Sequence, residues 1–236
     1  MVLTNTLHQN KSGSSKENPK VLITKILPAE LHHILENNDI VATFYDAITI
    51  TPIPIKTIPK SDFYIITSKT ALEILTASQL SQLKKAAVFC VGEQTKATLE
   101  TLGFNVTYCA TNGATLAKKI VSDYQQHSFT FIGSSSRNEV LPNTLKHAHI
   151  VFNEVHCYQT QAIEKKFTAT FDGIAFFSPS AVHSFFKYNT AAKSHLFCIG
   201  NTTAAAAKKY SNTITIASTP SFEATLAQIV QHYQHS

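Results

Sequence analysis

Short apolar runs alternate with stretches of helical spacing along most of this 236-residue chain. The runs are "VLIT" (21–24), "FYIIT" (63–67), "AVFCV" (87–91), "FTFI" (129–132), "HIVF" (149–152), "IAFF" (174–177) and "LFCI" (196–199). Compact and nearly free of polar residues, they predict strands buried on both faces, as in parallel sheets. Between them, "SKTALEILTASQL", "EQTKATLETL" and "GATLAKKIVSDYQ" carry apolar residues at helical spacing. Strand–helix alternation implies parallel sheets flanked by helices. The joints after the strands are short and end in Ser, Thr, Asn or Gly, the residues that cap helix N-termini.

The pattern repeats. "VFCVGEQT" (88–95) returns as "LFCIGNTT" (196–203), with Gly92 against Gly200 and Thr95 against Thr203. "FYIITSKTALEIL" (63–75) resembles "IAFFSPSAVHSFF" (174–186), which sets Ser68 against Ser178. "GATLAKKIV" (113–121) resembles "EATLAQIVQ" (223–231), and "VLITKILPAELHHIL" (21–35) pairs with "TFIGSSSRNEVLPNTL" (130–145). Four blocks in one order, about 109 residues apart, indicate duplicated domains; solenoid repeats run to about 20–50 residues. "ITITPIPIKTIP" (48–59) carries Pro52, Pro54 and Pro59 and cannot be a central strand throughout. The polar "CYQTQAIEKKF" (157–167) lies where the repeat places an equivalent crossing. The expected organisation is therefore discontinuous. One lobe takes 20–46 and 163–236, the second takes 52–156, and 47–51 and 157–162 connect them, with a cleft between. Two sequential domains are the simpler alternative.

Composition narrows the chemistry. The net charge is +5, but the lysines are scattered and Arg137 is the only arginine, which speaks against a nucleic-acid surface. Attraction for small anions fits better. Cys90, Cys109, Cys157 and Cys198 form no CxxC pair, and Cys90 and Cys198 sit in apolar runs as buried thiols. Reduced cysteines suit a cytoplasmic protein, and no apolar run approaches a membrane span. Residues 1–19 are polar, lack the apolar core of a secretory signal and read as a disordered tail.

Candidate binding groups gather at the strand-to-helix joints, where first-turn amides lack helical partners and favour anions. Ser68, Thr95, Ser178, Thr202 and Thr203 lie at such joints, and Arg137 lies in "GSSSRN" (133–138). The same hydroxyls would cap helices with or without a ligand. No Walker loop, GxGxxG, HExxH or GxSxG is present. His147 and His149 would share a face if strand-bound and are read as surface residues rather than metal ligands. Tyr158 lies at the return crossing, where its phenol either faces the cleft or packs against the crossing.

The order and spacing of "VLIT", "IITSKTALEIL", "VFCVGEQTKATLETLGF", "NEVLPNTL", "CYQT", "FFSPSAVHSFF" and "CIGNTTAAAAKK" resemble the uroporphyrinogen-III synthase family over about 20–234. The resemblance implies two flavodoxin-like α/β lobes, each a parallel sheet flanked by helices, joined by a two-stranded linker. It implies a cofactor-free, metal-free lyase that cyclises hydroxymethylbilane to uroporphyrinogen III with inversion of ring D. By the same resemblance Tyr158 is the candidate general acid. Ser68, Thr95, Ser178, Thr202 and Thr203 line the substrate site; Lys25 stands where many relatives place arginine. A monomer, receiving substrate by transient hand-off from hydroxymethylbilane synthase, is expected. The competing reading is a non-catalytic two-lobed receptor for a polycarboxylated small molecule.

Overall fold

A computed structural model describes residues 17–191 and 193–234. The reading of 1–19 as a disordered tail lies for the most part outside them. The chain divides into two compact units. Of the described residues, the first takes those up to Tyr45, Lys166–Val182 and those from Asn189 onward; the second takes Asp46–Lys165 and His183–Tyr188.

The first unit holds a five-stranded, wholly parallel sheet. Its strands are β1 (Lys20–Ile23), β2 (Val41–Phe44), β9 (Gly173–Phe176), β10 (His195–Cys198) and β11 (Ile214–Ile216), in the spatial order β2-β1-β9-β10-β11. Numbered from β1, that is the doubly wound order 2-1-3-4-5, with a switch of direction between β1 and β9. The central strands are buried on both faces: Val21, Leu22, Ile23, Ile174, Ala175, Phe176, Leu196, Phe197 and Cys198 are at most 1% exposed. One core gathers Val21, Ile23, Leu35, Ala175 and Phe197 with Leu226 and Ile229 of helix α9 (Phe222–Gln234).

The second unit holds a six-stranded sheet in the order β3-β8-β7-β4-β5-β6. Its strands are β3 (Ile48–Pro52), β4 (Phe63–Ile66), β5 (Ala87–Val91), β6 (Val106–Ala110), β7 (Phe129–Ser134) and β8 (Phe152–Ala162). The parallel part, β8-β7-β4-β5-β6, repeats the first unit's order if counted from β7. It is a circular permutant of that order, because the chain builds β4, β5 and β6 before β7 and β8. The first block of each sequence copy and the last three blocks of the other thus build one unit. Cores cover both faces of the sheet. On one of them the rings of Phe63, Phe89, Phe129 and Tyr124 meet at centroid separations of 5.0–5.5 Å. Burying each phenylalanine stabilises by about 1.5–3 kcal/mol.

Strand β3 pairs antiparallel with the far half of β8, from Ile48 opposite Ala162 to Pro52 opposite Tyr158. The proline-rich segment thus supplies an edge strand, where a missing N–H is tolerated. The stretch read as one helix at 68–80 is two: α2 (Lys69–Ile74) and α3 (Ala77–Leu83). Leu75 leaves helical geometry at ψ 134°, and Thr76 with Gln79 forms a capping box that starts α3. Of "HIVF" only the last residue, Phe152, is in a strand, where β8 begins. Helix α6 (Val140–His147) ends just before the run, His149 turns at φ 55°, and Val151 is 63% exposed. His147 and His149 therefore do not share a strand face. Among the described residues no helix is long and apolar enough to cross a membrane.

Candidate functional site

Doubly wound sheets bind ligands beyond the carboxyl ends of their strands, at the switch in strand order. In the second unit that switch lies between β7 and β4. Ser68 follows β4 and caps α2, its side chain accepting from the Thr70 N–H at 3.2 Å. Beside it, Ser134 closes β7 and its hydroxyl accepts from the Ser136 N–H at 3.0 Å. Tyr158 lies one strand over, on β8.

A β-bulge decides where Tyr158 points. Gly133 pairs with His156 but Ser134 pairs with Tyr158, so Cys157 is the extra residue. Regular alternation would set Tyr158 on the face of Glu154 and His156. The bulge re-aims it to the face of Val155 and Cys157, where it joins the core beneath α2. There Tyr158 is 7% exposed. Burial raises the pKa of its phenol, the neighbouring Ser68 side chain lowers it, and the Cys157 and Glu73 charges raise it. Its backbone is held from both sides: the Ser135 N–H donates to the Tyr158 carbonyl at 2.9 Å, and the Ile53 N–H to that of Cys157 at 2.8 Å.

The other expected groups of this unit are placed differently. Thr95 lies in the first turn of helix α4 (Glu93–Thr101) but is only 6% exposed, so its hydroxyl points inward. Arg137 is committed within the unit. Its guanidinium pairs with Glu154 and, at 3.2 Å, with Glu139, and lies over the Phe131 ring at 5.8 Å. Glu154 also receives Lys146 at 3.6 Å. Sequence reasoning missed Glu154 as the partner of the only arginine. Strand pairing brings them together, and no local spacing announces it.

In the first unit the switch lies between β1 and β9. Thr24, buried, donates its hydroxyl to the Ala175 carbonyl at 2.7 Å and so ties the ends of the two strands. The exposed Lys25 follows immediately. Ser178 ends the β9 joint and accepts from the Ala181 N–H at 3.1 Å, at the start of helix α7 (Pro179–Tyr188). After β10, Thr202 is exposed while Thr203 is 1% exposed, both in helix α8 (Asn201–Ala207). Of the paired threonines, Thr202 is the one that offers a hydroxyl to solvent. Lys25, Ser178 and Thr202 thus belong to one sheet's carboxyl end, and Ser68 and Tyr158 to the other's.

No cysteine is poised as a nucleophile. Burial pushes Cys90 and Cys198 up to about 12 and Cys157 up to about 11, and all four thiols are free. What the two sites offer is hydroxyls, a lysine and one buried phenol. That set can hold carboxylates and donate a proton.

Comparison with known proteins bears on the family and the fold. The family described as uroporphyrinogen-III synthase HemD matches residues 29–227. No curated protein sequence matches significantly. Among solved structures, the uroporphyrinogen-III synthetase of Helicobacter pylori is 18% identical, with 91% of this chain and 99% of that one covered and a TM-score of 0.61. A mutant uroporphyrinogen III synthase of Thermus thermophilus is 12% identical, with 92% and 100% covered and a TM-score of 0.70. The wild-type form gives 12%, 92% and 98%, and 0.58. At such identities these structures establish the fold.

Proposed function

The chain belongs to the uroporphyrinogen-III synthase family, and from that premise we propose that it cyclises hydroxymethylbilane to uroporphyrinogen III, inverting ring D and releasing water. The family match over residues 29–227 is the observation that carries this reading. It favours an enzyme over a non-catalytic receptor.

The reaction asks for little covalent apparatus. Loss of the hydroxymethyl oxygen leaves an electrophilic azafulvene, and pyrrole carbons are nucleophilic without help. Attack at the substituted carbon of ring D gives a spiro intermediate, which fragments and recloses inverted. Uncatalysed closure takes the unhindered carbon and gives the type I isomer. The protein's task is orientation, which alone supplies large rate factors. Lys25, Ser178 and Thr202 of one unit and Ser68 of the other bind substrate carboxylates. Thr95 and Thr203 are buried at these joints, and Arg137 shapes its loop through Glu154. Tyr158 donates the proton that lets water leave. Burial keeps its phenol protonated at neutral pH, as a donor must be. General acids of this kind contribute about 10²–10⁴-fold. On this reading the protein is a lyase that works without cofactor, a cytoplasmic monomer that takes its unstable substrate from hydroxymethylbilane synthase by transient hand-off.

The test is product identity. Purified protein, given hydroxymethylbilane and no additive, is expected to yield the type III isomer, separated from type I by chromatography after oxidation to porphyrins. A product that stays type I overturns the reading. Tight binding without inversion would restore the receptor.

A further inference from the structure

We propose that Gly133 and Cys157 are positioning residues for Tyr158: facing each other across the β7–β8 pairing, they build the bulge that carries its phenol to the α2 face. The proposal rests on the function given above, in which Tyr158 donates the proton. It assigns roles to two residues outside the carboxylate-binding set.

Three observations carry it. The first is which way the β8 side chains point. Phe152 packs against the core on one face of the sheet, and Val155 and Cys157 join the core on the other. Continued alternation would send Tyr158 to the Phe152 face. It joins Val155 and Cys157 instead, so both residues of the bulge point the same way. The second is the Cys157 thiol. Cys157 has no partner in the ladder, yet its buried S–H donates to the Gly133 carbonyl at 3.5 Å. The extra residue is thus tied back to β7 where the register shifts. Burial pushes the thiol up to about 11, so the proton for that bond is present at neutral pH. The third is the bareness of Gly133. A Cβ there would lie 2.6 Å from Cζ and 2.8 Å from Cε1 of Phe131, whose ring lies across it. Phe131 is 3% exposed with the Arg137 guanidinium over its ring, so the ring has little room to swing aside. A glycine inside a strand marks a bulge or a close approach, and Gly133 marks both.

The bulge is held on both sides. Toward β3, the Ile53 N–H donates to the Cys157 carbonyl at 2.8 Å, and toward β7 the Ser135 N–H donates to the Tyr158 carbonyl at 2.9 Å. What the arrangement supplies is direction. A proton donor helps only when its hydrogen reaches the departing oxygen, and a misplacement of about 1 Å can cost about 10²-fold. Neither Gly133 nor Cys157 takes part in the transfer. Cys157, too basic to serve as a nucleophile, acts through the strand geometry it fixes.

The test compares Cys157→Ala, Cys157→Ser and Gly133→Ala. Alanine at 157 deletes the donor, serine keeps one, and alanine at 133 sets a Cβ against the Phe131 ring. The Tyr158 ring is followed by NMR at neutral pH in protein carrying 13C in its tyrosine rings, with its signal identified by its loss in Tyr158→Phe. A soluble gadolinium chelate broadens the signals of exposed rings. In the parent the Tyr158 signal is expected to be protected, since the residue is 7% exposed. Both alanine variants are expected to lose that protection, and Cys157→Ser to restore it. In the alanine variants kcat should fall about three- to tenfold with KM nearly unchanged, a fraction of the general-acid contribution. Parental protection and parental kcat in both overturn the proposal even if their urea midpoints drop, because that is the mark of ordinary packing. So does a risen KM with unchanged kcat. A Tyr158 ring broadened in the parent overturns it without any variant. Should one alanine variant fail to fold, the other decides. The NMR measurement uses no substrate, so its result is separate from that of the isomer assay.

Discussion

Gly92 and Gly200 hold the same place in the repeated phrase, yet their backbones differ. Gly92 has φ 84° and ψ 134°, a region closed to side chains, whereas Gly200 has φ −175°, ordinary extended backbone. A Cβ on Gly200 would find Pro220 at 3.7 Å, a normal contact. Gly92→Ala is therefore expected to cost about 1–3 kcal/mol, and Gly200→Ala to stay within about 0.5 kcal/mol, as read from urea midpoints. Equal losses would show that the phrase, not the local conformation, sets the requirement. Arg137 teaches the same lesson in charge. Its type and place suggested an anion-binding group, but Glu154, Glu139 and Phe131 surround it. Tyr158 was legible as a residue of interest from its position at the crossing. Its direction was not, because the bulge that turns it is a property of pairing with β7.

At the scale of elements, the strands read from the sequence are the central ones: β1, β4, β5, β7, β9 and β10. They are buried on both faces and so appear as apolar runs. Of the strands not read as apolar runs, β2, β3, β6 and β11 are the four sheet edges, and β8, between β3 and β7, lies largely in the polar crossing. Half exposed, the edge strands mix polar and apolar residues, as in "VATF", "VTYCA" and "ITI". The break between α2 and α3 had a local signal in Thr76 and Gln79, the ends of a capping box. Where β10, β11 and α9 meet, His195 Nε2 lies 2.8 Å from the Thr215 hydroxyl and its ring is 4.1 Å from that of His232. Burial, with a smaller effect of His232, lowers its pKa below the ordinary histidine value. The unfolded chain then binds more protons than the folded one as pH drops below about 6.5. Stability present at neutral pH is thus lost on acidification through that value toward the depressed folded one. Urea midpoints at pH 7 and pH 5 should differ less in His195→Gln than in the parent; an unchanged difference would remove His195 from the account.

The molecule as a whole is two similar sheets built by exchanging parts of a duplicated sequence. The larger segment of the second unit, Asp46–Lys165, is set into the first between Tyr45 and Lys166, and His183–Tyr188 completes it. The rings of Tyr45 and Phe167 meet at 4.9 Å, so the first unit's chain leaves and returns at neighbouring points. The inserted segment likewise begins and ends side by side, in the pairing of β3 with β8. Replacing 46–165 by a short Gly/Ser linker is expected to leave a first unit that unfolds cooperatively in urea. The excised 46–165 is expected to do the same, and neither piece should make type III product, since each carries only part of the proposed carboxylate-binding set. Non-cooperative unfolding of both would show that the units are not independent folding bodies. The sequence by itself determined the duplication, the α/β layering, the central strands and the family, because burial on both faces and capped joints are written in local residue pattern. Tertiary structure alone decided the edges, the permuted strand order, the conformations of Gly92 and Gly200, the partners of Arg137 and the aim of Tyr158. Each of these depends on which distant strand lies alongside, and pairing between segments a hundred residues apart leaves no mark in either segment alone.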